Sequence, residues 1–245
     1  MGGRGSLSSR KHTMYDKESI KEVMRRQNIR VVGINKLDNR GLSLVVEAME
    51  TIQELEKKYG KHIDSVAIGL NRKSTLSYND NLVVKVRGKE VSLGRTLVIP
   101  KDTVKKGKSA LDKKAKKESK KNMWVAQNTK QAIMHEYGHA IHQNFKRKYP
   151  ELNKNFEKEF KKLVANPKSR VHLSTYATNK KYNGKITSSE YVAESLTHLM
   201  RNTKDARGQE MINLVRKHFE KAPGIDFGMY GIRKYTKKIK KKPKK

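Results

Sequence analysis

Two histidines four residues apart, His135 and His139, are the residues whose types and spacing most directly indicate a chemistry. They begin and end the pentapeptide HEYGH. At 3.6 residues per turn, a step of four leaves two side chains about 40° apart around a helix axis, so both rings can face one metal ion. Glu136 follows the first histidine, close enough to reach a water at that metal without binding the metal itself. The pentapeptide predicts a zinc site with Glu136 as the general base.

The pentapeptide needs further support, because HExxH occurs by chance in about one chain in a hundred of this length. An ordinary amphipathic helix with two histidines on its polar face would look the same. A catalytic zinc takes three protein ligands and keeps a fourth position for water. The chain has no cysteine, so a third ligand must be a histidine or a carboxylate.

The other downstream histidines are poor candidates for this third ligand. His142 follows His135 by two helical turns, too far along the axis to join the pair, and is interpreted as a histidine at the helix end. His172 and His198 have no partner at ligand spacing, which favours structural roles.

Glu190 and Glu194 are better candidates, because they share one face of a predicted helix over residues 187–201. The helix also carries a broad apolar side, so both carboxylates would lie close to the core, where they need a positive partner. Two alternatives stay open. Thr187 and Glu190 have the spacing of a capping box, and Glu194 has the features of a surface acid.

These segments, in this order, resemble the zincin metallopeptidases of the anthrax lethal factor and pro-pro endopeptidase type, including phage-encoded relatives. Such domains carry HExGH, a tyrosine after a short Ser/Thr stretch, and an E-x-x-A-E helix. The matching residues here are HEYGH, the stretch Ser174, Thr175, Tyr176 and Ala177, and the stretch Glu190, Tyr191, Val192, Ala193 and Glu194.

The resemblance implies a role for each matching residue. Glu190 would be the third zinc ligand beside His135 and His139, and Glu194 would be an outer carboxylate that orients a ligand histidine. Tyr176 would donate to the oxyanion. The gap from Tyr176 to Glu190 is longer than in the family and contains Tyr182, so either tyrosine is a candidate to face the metal.

The resemblance implies an α+β, zincin-like (gluzincin) domain, with a small mixed sheet packed on the active-site helix and a mainly helical C-terminal half. Periodicity supports this composition. Helices are expected around residues 20–24, from 42 to 60, 128–148, 151–165, 187–201 and 209–221. Short strands, interpreted as a small sheet of hairpins, are expected at 65–70, 82–86 and 95–99. We expect Arg95–Ile99 to be the edge strand that binds substrate.

The net charge of +33, from 57 Lys and Arg against 24 Asp and Glu, indicates an acidic binding partner.

Residues 1–15 are expected to form a disordered basic leader, and residues 237–245 a lysine-rich tail. A catalytic domain would span residues 16–236. Within it, the lysine-rich stretch Lys101–Lys121 is expected to be a solvated insertion or an exposed helix.

The sequence thus predicts a zinc-dependent metalloendopeptidase that hydrolyses peptide bonds in a peptide or protein substrate. A zinc-activated water would attack, with Glu136 as general base. The alternative is a basic virion or nucleoid protein that binds nucleic acid or another polyanion and has a structural or inactive zinc site. Because the sequence has no long apolar run and no signal segment, we expect a soluble protein of the bacterial cytoplasm or of a virion, with a phage head-associated function.

Overall fold

The computed structural model describes residues 16–70, 76–169, 172–178, 187–201, 208–223 and 225. Within these residues there are eight α-helices and four strands. The helices are α1 (Lys17–Arg26), α2 (Asn39–Tyr59), α3 (Lys101–Lys120), α4 (Thr129–Lys148), α5 (Pro150–Ala165), α6 (Thr175–Thr178), α7 (Ser188–Arg201) and α8 (Gln209–Phe219). The strands are β1 (Arg30–Val32), β2 (Ser65–Ile68), β3 (Ser77–Val86) and β4 (Lys89–Ile99). The expected mixed α+β composition is confirmed.

The four strands form one mixed sheet in the order β1-β2-β4-β3. β1 pairs with β2, and β2 with β4, in parallel, while β3 and β4 form an antiparallel hairpin. A sheet made only of hairpins was therefore the wrong expectation. The parallel pairs need long crossovers, and α2 supplies the one between β1 and β2.

The prediction that Arg95–Ile99 is an edge strand is wrong. Thr96 pairs with Ser65 of β2 on one side and with Asn79 of β3 on the other, so this end of β4 lies inside the sheet. The uninterrupted apolar run Leu97–Ile99 is typical of a strand covered on both faces. The edge strands are β1 and β3, and β3 is the one next to α4.

The helices follow the apolar periodicity closely. Most expected boundaries agree to within about two residues, and side chains cap the starts of α2 and α4. Asp38 accepts a hydrogen bond from the backbone N–H of Gly41 at the start of α2, and Asn128 accepts one from Gln131 at the start of α4. These contacts satisfy amide donors that a helix start leaves free.

Helix α4 lies at the centre of the molecule. It packs against α2, α7 and the sheet, and most of its residues are buried. Tyr137, the middle residue of HEYGH, is 1% exposed and donates a hydrogen bond to the carbonyl of Gly60, beyond the end of α2. One side of the pentapeptide therefore packs in the core, and this packing fixes the direction in which the side chains on its other side point.

The lysine-rich stretch forms α3, a helix with one buried face. Val104, Leu111 and Ala115 are buried where the helix packs on α2. Gly107 interrupts the regular helix with φ of 73°, and a side chain there would approach the backbone of Arg40 at 3.2 Å. Glycine thus permits both the kink and the close contact with α2.

No helix in the described ranges combines the length and the apolarity that crossing a bilayer requires. The expected leader at residues 1–15 and tail at residues 237–245 lie outside the described residues.

Candidate metal centre

The histidine pair and Glu190 converge at one point. One ligand atom from each of His135, His139 and Glu190 lies within 4.8 Å of the others. The Nε2 atoms of the two histidines are 3.2 Å apart, and Glu190 Oε2 lies 3.3 Å from the first and 3.6 Å from the second. The structure thus brings together the three residues that the sequence predicted as ligands.

Helix α7 delivers Glu190 because it packs tightly on α4. A Cβ added at Gly138 would lie 3.0 Å from the Cα of Ala193 and 3.2 Å from its carbonyl oxygen. Any larger residue at position 138 would therefore push the two helices apart. The fourth residue of HEYGH sets the distance at which a carboxylate on α7 meets the histidines.

Glu194 is fully buried below the ligand pair, which is not where an ordinary surface acid lies. Its Oε1 is 3.8 Å from Nδ1 of His135, and its Oε2 accepts a hydrogen bond of 3.0 Å from the backbone N–H of Val125. The carboxylate is therefore fixed on the side of His135 opposite the ligand cluster, where it can orient the ring.

Ser189 lies beside the outer nitrogen of His139, as Glu194 lies beside that of His135. Its hydroxyl oxygen is 3.0 Å from Nδ1 of His139. An N–H at Nδ1 that donates to this oxygen leaves the lone pair of Nε2 directed at the cluster. Helix α7 therefore contributes Glu190 and a contact to the outer nitrogen of each histidine.

Glu136 lies on the same helix and reaches strand β3. It is 7% exposed, and its Oε2 accepts a hydrogen bond of 2.7 Å from the backbone N–H of Tyr78. This amide points away from β4, on the free edge of β3. The carboxylate thus lies between the histidine pair and an edge strand.

Aromatic rings line the other side of the cluster. The ring centroid of Tyr176 is 6.4 Å from that of His135, and the centroid of Trp124 is 5.7 Å from it. Backbone hydrogen bonds from Thr175 and Tyr176 to the carbonyls of Asn122 and Met123 fix this wall. Tyr182, the other candidate tyrosine, lies outside the described residues.

The electrostatic field of the site favours a cation. Burial works against a charge on His135, but the carboxylates of Glu190 and Glu194 outweigh burial and raise the pKa of this histidine to about 9. Burial likewise opposes ionisation of Glu190, yet the two imidazoles hold the pKa of its carboxyl well below the usual range. A positive charge is therefore stabilised where the three ligand atoms meet.

The other acidic groups respond mainly to burial. It raises the pKa of Glu136, with the neighbouring histidines partly offsetting the effect, and raises the pKa of Glu194 to about 7. Burial, aided by the charge on Glu190, raises the pKa of Tyr176 to about 12, so its phenol remains a hydrogen-bond donor at neutral pH.

Of the other histidines that the structure describes, none belongs to the ligand cluster. The interpretation of His142 as a helix-end residue was wrong. Its side chain is 1% exposed and packs against the rings of Phe156 and Phe219. The apolar faces of α5 and α8 bury it. His198 is buried in α7, and His172 is exposed.

Sequence reasoning missed Ser189, Trp124 and the amide of Tyr78. Ser189 precedes a predicted ligand, but a serine near a helix start indicates capping more than contact with a histidine. The hydrogen-bond donor at Tyr78 is the backbone N–H, which almost every residue type has, so the sequence does not indicate it. Only the relative position of β3 and α4 reveals it.

Comparisons with known protein families, with curated protein sequences and with solved structures found no match to this chain. The interpretation of the site therefore depends on its own geometry and chemistry.

Proposed function

We propose that this protein is a zinc-dependent endopeptidase of the zincin type. The observation that carries the proposal is the convergence of His135, His139 and Glu190, with the Glu136 carboxylate in electrostatic contact with both histidines. Two imidazoles and one carboxylate are a common ligand set of catalytic zinc sites.

The residues fit a divalent cation. Glu190 Oε2 is buried and has no hydrogen-bond donor among the described residues, although two ring nitrogens lie within 3.6 Å of it. To bind a metal, His135 must give up the proton that its raised pKa favours. With both rings then neutral and their Nε2 lone pairs facing inward, three electron-rich atoms would repel one another, and a bound cation would relieve this repulsion.

Zn²⁺ held by these three residues would supply Lewis-acid polarisation of a peptide carbonyl and would make a water acidic near neutral pH. Glu136 is the group that moves the proton. Its carboxylate takes one from the attacking water and returns it to the leaving amine. Tyr176, protonated at neutral pH, donates a hydrogen bond to the oxyanion.

The substrate would bind along β3, as an added antiparallel strand. Support for this comes from the position of Tyr78, whose outward N–H contacts Glu136 at the free edge of the strand. A peptide paired with this edge would have its backbone close to the proposed general base.

The test measures zinc content and cleavage of a mixed peptide library, read by mass spectrometry. Glu136→Gln should keep the metal and lower cleavage by about 10²- to 10⁴-fold, because it removes only the proton acceptor. Glu190→Ala and His139→Ala should lose both metal and cleavage. Tyr176→Phe should keep zinc and lose about 100-fold in kcat.

Two outcomes count against the proposal. A Glu136→Gln variant that cleaves like the wild type removes the assignment of the base. Wild-type protein that fails to retain zinc against dialysis removes the metal centre.

A further inference from the structure

Helix α3 has an exposed face made almost entirely of lysine. Beyond the kink at Gly107, its buried side is formed by Leu111 and Ala115. The opposite side carries five exposed lysines at spacings of three, one, three and one residues. They are Lys113, Lys116, Lys117 and Lys120 of the helix and Lys121, the residue that caps its end, and together they are called the α3 lysine face.

These lysines have no acidic partner within 4.0 Å anywhere in the part of the chain that the structure describes. The two acids of this segment are engaged elsewhere: Glu118 faces Lys114 at 3.9 Å, and Asp112 faces Lys108 at 3.6 Å. Asp112 also accepts a hydrogen bond from the backbone N–H of Thr129. The α3 lysine face thus concentrates like charge without compensation, which destabilises an isolated helix.

The density of charge on this face matches that of a nucleic-acid backbone. Eight residue steps from Lys113 to Lys121, at about 1.5 Å each, cover about 12 Å, or about one cation per 3 Å. One strand of B-DNA carries a phosphate about every 3.4 Å along its axis. The positive charge per unit length of this face is therefore similar to the negative charge per unit length of one strand.

The residue types on the face select among nucleic acids. Sequence readout combines Arg or Lys contacts to guanine with Asn or Gln contacts to adenine, and single strands are bound on aromatic rings. The α3 lysine face has no Arg, Asn, Gln or aromatic residue, and lysine acts on phosphate as a point charge. We propose that the α3 lysine face binds the backbone of double-stranded nucleic acid without reading its sequence.

This activity goes beyond the proposed peptidase and does not depend on it. The ligands of the metal centre are on α4 and α7, whereas the lysine face is on α3. The Glu190→Ala variant should therefore bind duplex DNA as the wild type does, even if zinc is lost.

The experiment measures the anisotropy of a labelled 24-base-pair duplex with the full-length chain at several NaCl concentrations. We compare the wild type with a variant that carries Lys113→Gln, Lys116→Gln, Lys117→Gln and Lys120→Gln. Each phosphate contact contributes about 0.9 to the slope of log affinity against log salt. The variant should lose about 3.6 from this slope and about tenfold or more in affinity at 0.1 M NaCl.

A matched control removes the same number of positive charges, four, from another helix. Lys154, Lys158, Lys161 and Lys162 are exposed on α5, but this helix also carries Glu151, Glu157 and Glu159, so its positive charge is less concentrated than that of the α3 lysine face. Their replacement by glutamine should leave the slope nearly unchanged. Equal losses in both variants would mean that the general charge of the chain, and not α3, carries the binding, and would overturn the proposal.

Two more measurements complete the test. In the wild type, bound duplex should slow chemical acetylation of the α3 lysines more than that of the α5 lysines. The absence of such protection contradicts the proposal without the use of any variant. Stronger competition by poly-glutamate than by unlabelled duplex would assign the face to an acidic polypeptide instead.

Discussion

At the scale of single residues, the Ser189 hydroxyl contacts the outer nitrogen, Nδ1, of His139. When Nδ1 carries the proton and donates it to this oxygen, Nε2 is left free for a ligand role. Outer contacts of this kind raise metal affinity because they fix both the tautomer and the ring orientation.

We predict that Ser189→Ala lowers zinc affinity by about tenfold, because the imidazole loses its orienting contact. A competition titration with a chelating dye measures this. Ser188→Ala is the matched control, since the Ser188 hydroxyl bonds to Glu157 and faces away from the histidines. Equal affinities of the two variants would assign Ser189 no orienting role.

The candidate metal ligands and the candidate general base could be predicted from the sequence, whereas the groups that hold them in position could not. The spacing in HEYGH predicted the histidine pair, and two acids four residues apart predicted a second element that faces it. Ser189 and the amide of Tyr78 required coordinates, because neither a serine near a helix start nor a backbone N–H is specific for this arrangement.

At the scale of elements, the contact between α4 and α7 depends on the absence of a side chain at Gly138. Alanine normally stabilises a helix relative to glycine by up to about 1 kcal/mol. Here its Cβ would meet backbone atoms of Ala193 at 3.0 to 3.2 Å, and backbone cannot rotate away as a flexible side chain can. The clash should therefore outweigh the gain in helix propensity.

Gly138→Ala is expected to lower the free energy of unfolding by about 1–3 kcal/mol. It should also weaken zinc binding, because Glu190 moves away from the histidines together with α7. Urea unfolding and the dye titration measure the two effects. Lys146→Ala, on the exposed side of α4, should change neither. A more stable Gly138→Ala protein would show that the helices separate without cost.

The helices were predictable because an apolar stripe with a period near 3.6 residues marks one buried face, as in α2 from Leu44 to Leu55. The order of the strands was not. An apolar run such as Leu97–Ile99 indicates a strand but does not name its neighbours, and strand β1 has only three residues. Which strand lies at the edge depends on crossovers that local sequence does not encode.

At the scale of the whole molecule, buried neutral histidines make stability depend on pH. Burial lowers the pKa of His142 to about 3 and that of His62 to about 4, whereas the unfolded chain takes up these protons near pH 6.5. Between those values the unfolded state binds more protons at these two sites, so their contribution to stability is lost as the pH falls below about 6.5.

We expect His142→Leu to lose less stability on acidification, because a proton uptake site of the unfolded state is removed. The difference from the wild type between pH 7.5 and pH 5 should be about 2 kcal/mol. Urea unfolding at the two pH values, with a chelator present, measures it. The same pH dependence in both proteins would show that His142 is already protonated in the folded state.

The concentration of Ser189, Glu190 and Glu194 within two turns of a single helix has a consequence for how the histidine pair is assembled. A rotation of α7 by one residue, about 100°, would turn all three groups away together. The contacts to both imidazoles must therefore form or break as one unit. A titration with metal should accordingly pass through a single sharp step, with no half-assembled species in between.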